Sequence, residues 1–141
     1  MKSMFLFSGI LVLSFFGCKS QQYTFEELPE NQLVFGSGGG MTGASDTYIL
    51  LENGPLFHTN SLTKDSVELE SLTKKEAKRC FKKLDSLSLS ELDFDHPGNR
   101  YYFLEEVKSD SIHKVVWGSN DNKVSEDCQN FYNELKEHIK K

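Results

Sequence analysis

The longest nearly unbroken apolar segment lies at the N-terminus, where Met4 to Phe16 reads MFLFSGILVLSFF. A membrane-spanning helix needs about 20 apolar residues, so this segment is too short to cross a bilayer. With Lys2 ahead of it, the segment matches a secretory signal peptide, whose apolar region runs about 7–15 residues. The sequence becomes polar directly after Gly17 and Cys18. We therefore expect residues 1–17 to be a signal peptide.

Downstream, the first half of the chain shows a pattern typical of strands. Gln32 to Phe35 is a short apolar run, and residues 44–52 are rich in residues that favour strands. Asn53-Gly54 is a hairpin turn signal, so residues 56–59 are predicted to form the returning strand. The pattern thus predicts three strands before the first helix.

Two later segments carry apolar residues at helical spacing. Thr73 and Glu76 form a capping box, which predicts that the first helix opens at Thr73. The second helix is predicted to begin near Ser125, because acidic residues follow there, at the positive end of the helix dipole. The predicted buried residues are Ala77, Cys80, Phe81, Leu84 and Leu87 in the first helix, and Val124, Cys128, Phe131, Leu135 and Ile139 in the second.

Between the helices, the sequence predicts a turn at residues 95–99 and a second hairpin formed by residues 100–108 and 112–117. The predicted order is β-β-β-α-β-β-α. Because hairpins join antiparallel strands, we expect an α+β domain with a mostly antiparallel sheet of about four to five strands. Both helices are expected to pack on one face of that sheet.

Charge and length limit the possible partners and the number of domains. The chain has 141 residues and a formal net charge of −5. An acidic chain with scattered lysines argues against nucleic-acid binding, which needs a basic face. Residues 18–31 are rich in Gln, Glu and Asn and predict a flexible tether, in which Tyr23 and Phe25 are the candidates for contact with the domain. Residues 32–141 are long enough for a single domain.

Cys18, which follows Gly17 at the end of the apolar segment, resembles the lipobox cysteine of bacterial lipoproteins. The resemblance implies that the Cys18 thiol is diacylglycerated, that the signal is removed before it, and that the new amine is acylated. Several acyl chains together anchor a protein stably, so a membrane is the expected partner of the N-terminus. Lys19 stands where enteric lipoproteins retained in the inner membrane carry Asp, which favours the outer membrane, facing the periplasm or the cell surface. The alternatives are ordinary cleavage after Ser20 and an uncleaved N-terminal helix.

The remaining cysteines form an even pair, Cys80 and Cys128. An oxidising compartment favours disulfides, and both residues lie on the predicted buried stripes of their helices. We therefore predict a disulfide between them. The alternative is two separately buried thiols that act as small apolar side chains.

The glycine-rich segment after the first strand has two open interpretations. It is either a bulge or wide turn that uses the positive φ available to glycine, or an exposed loop that docks a protein partner. The spacing of its glycines formally matches the dinucleotide fingerprint, but a strand follows instead of the helix N-terminus that binds pyrophosphate, so we expect no nucleotide. The candidate docking loop comprises Gly38, Gly39, Gly40, Met41, Thr42 and Gly43.

The sequence shows no recognisable catalytic, metal or cofactor motif. Asp93 and Asp95 resemble the start of a calcium loop, but Pro97 replaces its third ligand and Leu104 its twelfth. The histidines lack the i, i+4 spacing of zinc sites, and His58 is interpreted as a surface residue in a strand. No serine lies in a Gly-x-Ser-x-Gly motif. We therefore expect a non-catalytic domain without metal or cofactor.

Over residues 32–140, the order of elements resembles emfourin-like proteins, small inhibitors of thermolysin-type metalloproteases. These proteins carry a Gly-Gly-aromatic-x-Gly turn early in a βαββα layout, and Met41 stands at the aromatic position of that turn here. The matching features are the turn at Gly39-Gly40-Met41-Thr42-Gly43, the helix with Leu72, Ala77 and Leu84, the strand from Pro97 to Val107, and the closing helix with Leu135 and Ile139. The resemblance implies inhibition of a protease.

Two functions follow from these expectations. The first is a lipid-anchored cell-envelope protein that binds another envelope protein or assists an envelope assembly. The second is an emfourin-like protease inhibitor.

Overall fold

The computed structural model describes residues 22–140, so the predicted signal peptide and Cys18 lie outside the described residues. The fold is α+β, as predicted. Its elements in chain order are β1 (Gln32–Gly39), β2 (Ser45–Leu51), β3 (Leu56–Asn60), β4 (Ser66–Glu68), α1 (Lys74–Leu87), a 3-10 turn (Leu89–Glu91), β5 (Asp95–His96), β6 (Arg100–Lys108), β7 (Ser111–Trp117) and α2 (Glu126–Ile139).

Within residues 22–140, one sheet of seven strands runs in the order β4-β3-β2-β1-β6-β7-β5. The predicted count of four to five strands is wrong because the sequence pattern did not reveal either edge strand. All three residues of β4 are exposed, so the strand carries no apolar alternation. β5 lies in the stretch predicted as a turn, and it pairs in parallel with β7. The sheet is therefore mixed, although its other pairs are antiparallel.

β1 extends further than its apolar run predicts, because it continues through the first glycines to Gly39. A Cβ at Gly36 would lie 2.0 Å from the carbonyl oxygen of Asp46 and 2.9 Å from the Phe103 ring. Only glycine therefore allows β1 to stay paired with both neighbouring strands at this position.

The predicted helix starts are confirmed. The Thr73 hydroxyl accepts a hydrogen bond from the Glu76 amide at 3.2 Å, and the Thr73 amide donates to the Glu76 carboxylate at 2.9 Å. The Ser125 hydroxyl accepts from the Cys128 amide at 3.3 Å, which caps α2. Lys83 of α1 and Glu134 of α2 form an ion pair between the two helices.

Both helices pack against the same face of the sheet, which we call the helix face. Alternate strand residues join the helices in one buried cluster there. Its members are Leu33, Phe35, Leu50, Leu56, Leu72, Cys80, Leu84, Leu89, Leu104, Val115, Trp117, Cys128, Phe131, Tyr132 and Leu135.

The opposite face carries a second, smaller apolar cluster, formed by Val34, Ile49, Leu51, Phe57 and Phe103. Tyr23 and Leu28, from the segment predicted as a tether, pack against this cluster. The Phe25 ring also lies edge-on to Phe57, with 6.3 Å between the ring centroids. Part of the predicted tether therefore contacts the sheet.

The strand register defines two ends of the sheet. At one end, Gln32 pairs with Leu51 and Val107, and we call this the N-terminal end. At the other end, which we call the glycine end, the loop at 40–44 joins β1 to β2. The connection at 61–65 and the turn before β6 lie at the glycine end too.

Candidate functional site

The glycine loop is a tight turn at the end of the β1–β2 hairpin. The amide of Gly39 donates to the carbonyl of Ala44 at 3.0 Å, and the amide of Gly43 donates to the carbonyl of Gly40 at 3.3 Å. Gly39, Gly40 and Gly43 have φ values of 90°, 79° and 66°, in the left-handed region that glycine adopts readily. Gly38 remains in β1, paired with Ser45. The structure therefore gives the candidate loop the geometry that the turn interpretation requires.

A second contact joins this loop to the rest of the sheet. The Gly40 amide donates to the Asn99 carbonyl at 2.8 Å. A Cβ on Gly39 would lie only 2.2 Å from the same oxygen, so the close approach requires glycine. The loop is thus fixed at both its hairpin base and the turn before β6.

The tip of the loop presents an apolar side chain to solvent. Met41 has a relative exposure of 107%, the value of a side chain with no covering neighbour. Leu62, in the adjacent connection between β3 and β4, is 61% exposed. The Ser61 amide donates to the Ser45 carbonyl at 2.9 Å, so the two connections lie side by side. We call the surface formed by Met41, Thr42 and Leu62 the apical surface.

A polar group lies on the helix face near the glycine end. His58 Nε2 is 2.8 Å from Asp46 Oδ1, and the Asn60 side-chain amide donates to the same oxygen at 2.9 Å. The hydrogen bond from Asn60 lowers the pKa of Asp46, partial burial opposes this, and His58 lowers it further. The carboxylate is therefore oriented by two neighbours.

These residues do not form a nucleophilic triad. Ser37 pairs with Asp46, and His58 lies one strand further, on β3. Among the residues described, no hydrogen bond joins the Ser37 hydroxyl to the His58 ring, whose Nε2 atom lies 2.8 Å from Asp46 Oδ1 instead. The arrangement is suited to hydrogen bonding.

The sequence pattern predicts a surface position for His58 and gives no signal at Asp46 or Asn60. The pairing of β2 with β3 brings Asp46 opposite Asn60. This register is centred on Asn53, whereas a two-residue turn at Asn53-Gly54 would have placed Asp46 opposite Ser61, so the turn signal alone does not bring these side chains together. His58 is then diagonal to Asp46 on the same face, which is within reach of its ring.

Beside this group lies an aromatic cluster centred on Tyr132 of α2. Its ring is edge-on to Trp117 at 5.2 Å and to Tyr102 at 5.6 Å between centroids. Among the residues described, neither the Tyr132 hydroxyl nor Trp117 Nε1 has a hydrogen-bond partner, although both atoms are buried. Burial raises the pKa of Tyr132 to about 12.

Cys80 and Cys128 both lie in the core, with relative exposures of 1% and 0%. They belong to the same buried cluster, and the structure describes both as free thiols. Burial raises the pKa of the Cys80 thiol to about 11. The disulfide between them stays a prediction.

The acidic stretch before β6 is not gathered into a cation site. Across residues 22–140, no group of three or more His, Cys, Asp or Glu side chains is placed to hold a metal ion. His96 instead packs edge-on against Phe94, with 4.7 Å between the ring centroids.

Between residues 22 and 140, no helix is both long and apolar enough to cross a membrane.

Comparison of the chain with protein-family models gives no match, and a search of curated proteins gives none either.

Proposed function

We propose that this chain is a lipid-anchored cell-envelope protein with a non-catalytic domain that binds another envelope protein or assists an envelope assembly. Cys18 carries the lipid, and the outer membrane, facing the periplasm or the cell surface, is the proposed location. The proposal draws on the 13-residue apolar segment Met4 to Phe16, which ends at Gly17-Cys18. The apical surface is the proposed docking site.

The observation that carries the docking proposal is the exposure of Met41. Its side chain is uncovered, yet the loop beneath it is fixed by the hydrogen bond from Gly40 to Asn99. An exposed methionine contributes nothing to the core, whereas methionine adapts readily to the surface of a partner. Because the loop is already ordered, binding would cost little conformational entropy.

The position of the apical surface supports a protein as the partner. Tyr23 lies beside Glu52 and Asn53, at the N-terminal end of the sheet. An extended chain from Cys18 to Tyr23 reaches at most about 17 Å, so a lipid on Cys18 would hold this end of the domain close to the membrane. β1 separates the two ends by roughly 26 Å, which leaves the apical surface at the far end of the strands.

A pull-down with the purified full-length protein tests the docking site. Met41→Ser should abolish recovery of the partner from envelope membranes without changing the melting temperature, because Met41 makes no core contact. Ile112→Ser is the matched control, since Ile112 is 65% exposed at the N-terminal end. Undiminished recovery with Met41→Ser would exclude the apical surface as the docking site.

The second candidate is an emfourin-like inhibitor of thermolysin-type metalloproteases. The same protruding, fixed loop favours it, because an inhibitory loop has to enter the cleft of a protease in an ordered conformation. Adding the purified protein to a thermolysin-type protease tests this candidate. A stoichiometric loss of protease activity that Met41→Ser removes supports inhibition, and full activity at excess protein rejects it.

A further inference from the structure

A small cleft on the helix face lies beside the glycine loop. Its volume is about 240 Å³. The strand register places the side chains of Ser37, Asp46, Arg100 and Tyr102 on the helix face, because each is in phase with the buried residues of its own strand. The cleft is lined by Ser37, Gly38, Gly39, Thr42, Ala44, Asp46, Arg100, Tyr101 and Tyr102.

The negative side of the cleft is an oriented carboxylate. His58 and Asn60 both contact Oδ1 of Asp46, and the Asp46 side chain is 44% exposed. Within residues 22–140, the second oxygen, Oδ2, has no hydrogen-bond partner. Asp46 therefore keeps one acceptor oxygen for a ligand while its neighbours fix its direction.

The positive side of the cleft is Arg100. Its Nε lies 3.8 Å from where a Cβ of Gly40 would stand, so the side chain extends along the glycine loop. The described part of the chain offers Arg100 no ion pair, and the Asp46 carboxylate does not reach it. An unpaired guanidinium is suited to bind a carboxylate through two parallel hydrogen bonds.

We infer that this cleft binds a small zwitterion of the size of a free α-amino acid, with its ammonium group at Asp46 and its carboxylate at Arg100. Two opposite charges that line one cleft without contacting each other match a ligand that carries both charges. Ser37 lies on the strand between them and pairs with both Asp46 and Tyr102, and Tyr102 lies on the same strand as Arg100, two residues away. A volume of about 240 Å³ is sufficient for a ligand of this size. The cleft shares Thr42 with the apical surface, but the inference rests on neither the lipid anchor nor docking at that surface.

The only tryptophan of the chain provides a reporter for binding. Trp117 lies 6.0 Å from Tyr102 between ring centroids, and Tyr102 lines the cleft. Titration of the full-length protein with L-alanine should give a saturable change in tryptophan fluorescence. Equilibrium dialysis with radiolabelled L-alanine detects binding independently of fluorescence. Acetate and methylammonium, which carry one charge each, should bind at least tenfold more weakly.

Variants identify the two charged groups. Asp46→Asn and Arg100→Gln should each weaken L-alanine binding at least tenfold, and Asp110→Asn, in the exposed β6–β7 turn, should leave it unchanged. Arg100 makes no ion pair in the described chain, so Arg100→Gln keeps the test valid even if Asp46→Asn fails to fold. The inference is overturned if dialysis shows no binding of L-alanine, if acetate or methylammonium binds equally well, or if Arg100→Gln binds like the wild type.

Discussion

The backbone amide of Gly40 donates a hydrogen bond to the carbonyl oxygen of Asn99 at 2.8 Å, and this contact joins the β1–β2 loop to the turn before β6. The two segments are far apart in sequence, but the antiparallel pairing of β1 with β6 brings Gly39 opposite Arg100. The exposed Met41 side chain therefore projects from a loop supported on two sides. A loop of this kind presents one conformation to a partner.

Gly39→Ala should destabilise the protein by at least about 2 kcal/mol. Alanine resists the left-handed φ of 90° at this position, and its Cβ would collide with the Asn99 carbonyl. Gly43→Ala is the matched control, because Gly43 has a φ of 66° but a Cβ placed there would meet no atom within 4 Å. It should cost only about 1 kcal/mol. Denaturant unfolding measures both, and equal losses would show that the contact with Asn99 does not hold the loop.

Asp46→Asn should lower stability at neutral pH, and the loss should disappear in acid. The pKa of Asp46 is lowered in the folded state, chiefly by the hydrogen bond from Asn60, so the ionised form is stabilised by folding. This contribution is complete above the ordinary value of 3.8 and is lost as the pH falls through the lowered pKa. The difference at pH 7 should stay below about 1 kcal/mol, because the side chain is partly exposed to solvent. Unfolding curves of both proteins between pH 2 and pH 7 measure it, and a difference that persists at pH 2 would contradict the role of the ionised carboxylate.

The Cys80 thiol should resist alkylation in the folded protein. It is 1% exposed and burial raises its pKa to about 11, so little thiolate forms at pH 8. Mass spectrometry after iodoacetamide treatment under native conditions should show no label on Cys80, and rapid labelling there would contradict its burial.

The same reagent tests the predicted disulfide. In denaturant without reductant, protein purified from the periplasmic side should remain unlabelled at Cys80 and Cys128 if the bond is present. A bridge between these positions closes a loop of roughly 50 residues, for which chain entropy gives about 4 kcal/mol of stabilisation. Two labels would instead match the free thiols that the structure describes.

Local sequence signals identified the central part of the fold. The turn at Asn53-Gly54 and the capping box at Thr73 depend only on residues that are close in sequence, and both occur in the structure where they were predicted. The edge strands depend on contacts made elsewhere. β5 forms because the outer edge of β7 offers backbone groups that β6 does not pair, and the segment around β5 pairs with them. The Val116 amide, for example, donates to the Phe94 carbonyl. The local sequence at residues 95–99 indicates only a turn, through Pro97 and Gly98.

The sequence predicts some of the candidate sites better than others. The glycine loop is predictable because the positive φ values that glycine allows are signalled by one short segment. The group around Asp46 is not predictable from local sequence, because its three residues come together only in the register of the β2–β3 hairpin. The cleft required a third strand, since Arg100 reaches it through the pairing of β6 with β1.

The most direct test of the proposed function is lipid labelling of Cys18. Cells that express the full-length protein should incorporate radiolabelled palmitate into it, and Cys18→Ser should remove the label and release the protein from the membrane fraction or leave it unprocessed. Cys80→Ser is the matched control and should keep the label, because Cys80 is buried in the domain core. Palmitate incorporation that survives Cys18→Ser would contradict the lipid-anchored envelope protein proposed above.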